Sequence, residues 1–156
     1  MTKAAAKTAT KAATKAATKA ATKAELEALS EFRYQLRRFL RFSEAAAHAE
    51  GLTPQQYQLL LHVKGYPGRD WATVGELAER LQVQPHGALT LVARCESLGL
   101  VSRESGTADK RQVLVRLSAE GEARLLRLAA LHRLELRSLK EVFQVAHISA
   151  FTEQWQ

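Results

Sequence analysis

Cysteine, long apolar runs and recognisable catalytic motifs are scarce or missing in this sequence, and each shortage narrows what the chain can be. One cysteine, Cys95, among 156 residues leaves no intramolecular disulfide to form, and no apolar run reaches the length of a membrane span or a signal-peptide core. A cytoplasmic protein without membrane contact is therefore expected. Residues 1–24 contain no acid, and also no Leu, Phe or Arg with which a mitochondrial presequence builds its amphipathic face. There is no glycine-rich phosphate loop, no serine-elbow motif and no pair of acids at an evident site, so neither an enzyme nor a cofactor is expected.

What is present begins with charge. The formal net charge is +7, a balance that favours anionic partners such as nucleic acid or an acidic membrane surface. Its distribution is uneven: Lys3, Lys7, Lys11, Lys15, Lys19 and Lys23 account for six of the 23 basic residues, which leaves 17 against all 16 acids in the remainder. The body is nearly neutral, so any affinity of the body for nucleic acid depends on local placement of charge. With 46% hydrophobic and 25% charged residues, the chain is long enough for one domain with a core.

The first segment repeats "KAAT" with a lysine at every fourth position. A helix turns about 100° per residue, so such lysines would spiral round it instead of forming one stripe. Like charges at i, i+4 oppose the helix and nothing apolar docks the segment, so residues 1–24 are expected to be largely disordered alone in water. Two readings stand: a solubilising tail, or a polycation whose lysines neutralise DNA phosphates.

Leu26, Leu29, Phe32, Leu36, Phe39 and Leu40 recur at helical spacing with Arg33, Arg37, Arg38 and Arg41 between them, and Gly51 ends that helix. Thr53 with Gln56 and Thr73 with Glu76 are capping boxes, each opening a further helix, and "GYPGRD" separates the two. After a turn at 82–84, Pro85 suits the first position of another helix, which runs to about Leu98 and stops at Gly99. Two short helices joined by a tight turn make a helix-turn-helix. Ala88, Leu91, Val92, Cys95 and Leu98 share one face of its second helix, and His86, Thr90, Arg94 and Ser97 the other. "LVSRE" and "RQVLVRL" read as strands around "SGTAD", a hairpin or wing. Ser118 caps a helix to about Lys140, and a last one is expected over 141–153. Leu125, Leu126, Leu128, Leu131, Leu134 and Leu136 cover more than one face, which points to a homodimer interface.

"ELAERL", "LTLVARCESLGLVSRE", "DKR" and "LSAEG", in that order and spacing, resemble the MarR family of winged-helix transcription regulators over about Leu36 to Leu139. The resemblance implies a mainly α fold with a small β-hairpin wing: a winged helix-turn-helix over 53–117, with dimerisation helices at 25–52 and 118–156. It implies that Arg111 enters the DNA minor groove, oriented by Asp109, while Lys110 meets a phosphate. The chemistry agrees, since a carboxylate holds a planar guanidinium through charge-assisted hydrogen bonds. Taken alone, "ADKR" would be a solvated turn. Gln84, His86, Thr90 and Arg94 are the implied major-groove and phosphate contacts, although His86 alone also fits a surface histidine. The chain departs from the family at Gly87, where Ser or Thr is usual, and at Thr90, where Arg is frequent.

The implied function is a sequence-specific regulator, a ligand-responsive repressor bound as a homodimer to a pseudo-palindromic operator. A small, often aromatic effector is implied between the dimerisation and DNA-binding regions. The competing readings are a histone-like architectural protein that binds DNA through its lysine tail, and an adaptor that uses the winged helix for protein contacts. His132 with Glu135, and His48 and His62, raise a zinc site, but scattered histidines are more often structural and no metal is expected. Cys95 reads as a small core residue, not a redox sensor.

Overall fold

The computed structural model describes residues 20–138; Lys3 to Lys19 and the expected final helix lie outside them. The described residues fall into two units, one up to Leu36 and one from Arg37 onward. Helix α1, Lys23–Ala49, runs through the boundary in sequence. It opens two residues earlier than the periodicity suggested, because Thr22 and Glu25 cap it reciprocally: Thr22 N–H donates to Glu25 Oε2 at 2.6 Å and Glu25 N–H to Thr22 Oγ1 at 3.2 Å. Lys23 pairs with Glu27 one turn on, at 3.2 Å.

The second unit holds the core. Helix α2, Pro54–Lys64, starts at the Thr53–Gln56 capping box and buries Tyr57, Leu59, Leu60 and Val63. β1, Trp71–Thr73, leads directly into α3, Val74–Leu81, which opens at the Thr73–Glu76 box and buries Leu77 and Ala78. Gln82 closes α3 with φ of 53°, a left-handed conformation unusual outside glycine, and its side-chain amide donates to Glu79 O at 2.6 Å. α4, Pro85–Ser97, buries Ala88, Val92 and Cys95, and Gly99 follows with φ of 70°. Leu98, assigned by its spacing to the packed face, is instead 56% exposed, since it is the C-cap residue, where the helical repeat no longer sets direction.

β2, Val101–Ser105, and β3, Val113–Leu117, pair antiparallel as the wing. The sheet has a third strand: β1 pairs with β3 in the order β1-β3-β2, Trp71 opposite Arg116 and Thr73 opposite Leu114. α5, Ala119–Ser138, begins where the Ser118 hydroxyl accepts from Gly121 N–H at 3.0 Å and donates to Gly99 O at 2.6 Å. Leu125 and Leu128 join the core, whereas Leu126, Leu131, Leu134 and Leu136 stay exposed.

Within this unit His132 of α5 is buried against α1 and α2. Its Nδ1 lies 2.7 Å from Leu128 O, and because a carbonyl only accepts, Nδ1 carries the proton. Nε2 is then left to accept from the Ser43 hydroxyl at 2.8 Å. The ring stacks on Tyr57 at 4.7 Å, with Phe39 and Phe42 edge-on. His132→Phe keeps the ring but strips both bonds, so a loss of about 1–3 kcal/mol in urea unfolding is expected. An unchanged midpoint would remove the hydrogen bonds from the account.

Candidate nucleic-acid interface

The exposed face of α4 carries the residues that sequence reasoning singled out. Gln84 is the N-cap residue, with no side-chain cap bond, so its amide is not spent on closing the helix. His86, Thr90 and Arg94 are exposed along the helix. The Thr90 hydroxyl donates to His86 O at 2.9 Å, which fixes its rotamer but leaves its lone pairs outward. Among the described residues Arg94 has no ion-pair partner, whereas Glu96 on the flank is spent on Arg103 of β2 at 2.7 Å.

The wing loop is built on backbone approach. Gly106 N–H donates to Gln112 O at 3.0 Å and Gln112 N–H to Asp109 O at 3.1 Å. A Cβ on Gly106 would lie 2.4 Å from that Asp109 carbonyl, so only glycine lets the loop fold so tightly. Asp109 Oδ1 accepts from Arg111 N–H at 3.0 Å and from Arg111 Nε at 3.3 Å. One carboxylate thus grips both the backbone and the base of the guanidinium, while the Arg111 side chain is 93% exposed. The loop presents a cation held from behind, and Lys110 is exposed beside it.

A second cluster went unnoticed in the sequence. The Arg69 guanidinium lies between the rings of Tyr66 and Trp71, at 4.2 and 3.9 Å, and pairs with Glu76. Arg80 covers Tyr66 at 4.6 Å. Arg116 of β3 reaches Asp70 at 3.0 Å and Glu104 of β2 at 2.9 Å. Burial pushes the Glu76 carboxyl up, but hydrogen bonds from the Thr73 backbone, Arg69, the Thr73 hydroxyl and Tyr66 outweigh it and hold the group below its usual range. The available signal was Trp71 in a three-residue apolar-polar stretch just before a capping box.

Elsewhere the chemistry is structural. Cys95 is fully buried, and burial pushes its thiol up to about 11, far from a reactive thiolate. Both ring nitrogens of His132 are engaged, and no three His, Cys, Asp or Glu side chains converge among the described residues. No helix among them is long and apolar enough to cross a membrane.

Two short helices joined by a tight turn, with a β-wing behind them and a strand pinned to that wing in front, define a winged helix-turn-helix protein. Residues 50–112 match the MarR family model, so this part of the chain is similar to that family of transcription regulators. It is 29% identical over 107 residues to the HTH-type transcriptional repressor MdtR of Bacillus subtilis, covering 65% of this chain and 67% of that one. Among solved structures, a MarR family protein from Bacillus stearothermophilus is similar at 26% identity and a TM-score of 0.63, over 83% of this chain and 87% of that one. AbsC, a MarR family regulator from Streptomyces coelicolor, superposes with a TM-score of 0.71 at 20% identity, over 89% and 94%. A mutant MarR from E. coli complexed with operator DNA superposes at 0.62 and 21% identity, over 78% and 86%.

Proposed function

We propose that this chain is an operator-specific repressor that acts as a homodimer on a pseudo-palindromic site in the cytoplasm. α4 enters the major groove with Gln84, His86, Thr90 and Arg94, and the wing places Arg111 in the adjacent minor groove while Lys110 meets a phosphate. The observation that carries this reading is the Arg111 guanidinium, fully presented to solvent yet fixed from behind by Asp109. Minor grooves attract arginine through their negative potential, and a prealigned one loses less freedom on insertion. The exposed leucines of α5, and Leu26 and Leu29 on α1, support homodimerisation, since exposed apolar stripes of this kind mark association surfaces. The family resemblance puts a small, often aromatic effector between the dimerisation and DNA-binding regions. What supports that place here is the ring cluster of Phe39, Phe42, Tyr57 and His132, where α1, α2 and α5 meet.

In this reading Lys3, Lys7, Lys11, Lys15, Lys19 and Lys23 add phosphate contacts without sequence preference. The test is a salt-series titration of the full chain and of residues 20–156, which keep the Thr22 cap, against a duplex selected from a random pool and its scrambled counterpart. Truncation is expected to lower the salt slope by up to about 0.9 for each lysine engaged, with the preference for the selected duplex retained. Loss of all binding on truncation would instead favour an architectural protein that works through its tail.

A further inference from the structure

The cluster around Arg69 has the wrong properties for a device that only stabilises. A guanidinium packed between two rings carries a desolvation cost, and Arg69 Nε is buried with no hydrogen-bond partner. An apolar side chain of similar size would fill the same space without that orphan. What the arginine supplies instead is directional connection. Towards the helix-turn-helix it pairs with Glu76, in the first turn of α3, whose other oxygen accepts from Thr73 N–H at 2.8 Å. Tyr66, the ring on one side of Arg69, is also covered by Arg80 in the last turn of α3. Both ends of α3, the helix before the reading helix, are therefore engaged by the Tyr66–Arg69 pair.

Towards the wing, Arg69 stacks on Trp71 of β1, which lies opposite Arg116 of β3. Arg116 in turn ties Asp70 at the β1 end to Glu104 of β2. β1 has only three residues, so its backbone ladder with β3 is short, and these side chains add a polar connection, beside the core that Leu77 shares with Val101 and Val115, between α3 and the two strands that flank Asp109 and Arg111. A winged helix that reads two grooves at once gains from the second contact only if the spacing between its two reading elements is fixed.

We infer that Arg69, through Glu76 on one side and Trp71 with Arg116 on the other, is a positioning residue that sets the wing against the helix-turn-helix so that Arg111 reaches DNA in register with α4. This rests on the proposed role of Arg111.

Its test is a double-mutant cycle on the full chain with the duplex selected from a random pool. Glu76→Gln is the mild lock variant: glutamine still closes a capping box, as Gln56 does at Thr53, but it cannot form the ion pair with Arg69. Arg69→Met, which keeps bulk and loses the planar charge, is the independent one. Thermal unfolding selects the lock variants that fold. Arg111→Ala is expected to weaken binding by at least about thirty-fold in the wild type and by under about three-fold in a lock variant, because a wing out of register has little left to lose. A merely structural role would lower affinity or stability but leave that thirty-fold factor unchanged. Equal Arg111→Ala factors in both backgrounds, or lock variants with wild-type affinity, overturn the inference. An Arg111→Ala that binds like wild type overturns the wing reading itself, and is recognisable because it shows in the single variant alone.

Discussion

Gly121→Ala is expected to cost at least about 3 kcal/mol of stability, the upper end of what overpacking does, and to lower the melting temperature by about 10 °C for a chain of this size. The cause is one atom. A Cβ at this position would sit 2.0 Å from the carbonyl oxygen of Leu100 and 2.9 Å from its carbon, and both are backbone. Neither can move without disturbing what surrounds it: Ser118 N–H donates to that same oxygen at 3.0 Å, and Leu100 itself is buried. The first turn of α5 is thus pressed onto the strand start behind α4, and alanine, ordinarily the better helix former, is excluded there. Gly87→Ala supplies the contrast. It is also a helical glycine, but its added Cβ would meet only Val83 Cβ at 3.9 Å, so a gain of about 0.5–1 kcal/mol is expected from helix propensity. Differential scanning calorimetry of the two variants checks both signs, and equal melting temperatures would refute the steric account.

Arg111→Ala is the largest expected functional effect. Each wing should lose about 1–3 kcal/mol of DNA binding. In a homodimer both wings lose it, so affinity for the selected duplex should fall by at least about thirty-fold at constant salt. Stability should not change, because the side chain is 93% exposed and its only ion pair among the described residues is with Asp109, two residues away. Asp109→Ala should weaken binding less, since the arginine remains but is no longer aligned. The double variant should be no weaker than Arg111→Ala alone. Fluorescence anisotropy with melting curves on the same samples separates these outcomes; additive losses would mean that Asp109 contributes by a route of its own.

Much of the fold was legible because its signals are local. Thr53 with Gln56 and Thr73 with Glu76 name helix starts by spacing alone, and both boxes form as the sequence implies. The third box, at Thr22 with Glu25, was equally readable but hidden by the repeat that runs into it. β1 was not legible: three residues have too little alternation to register as a strand, and they become one only by pairing with β3 more than forty residues later. Leu98 and Gln82 show the limit from the other side, since helical spacing assigns no direction to a cap residue and composition does not reveal that glutamine takes φ of 53°.

The sequence by itself determined the succession of helices and wing strands and the exposed face of α4, because turn chemistry, capping and periodicity act between residues a few positions apart; the Asp109–Arg111 couple was implied by the family resemblance. Only the tertiary structure decided that Gly121 admits no side chain, that His132 is a packed ring with both nitrogens engaged, and that Arg69 joins α3 to the wing. Those facts depend on atoms brought within a few ångströms by chain segments remote in sequence, where no local pattern records the distance.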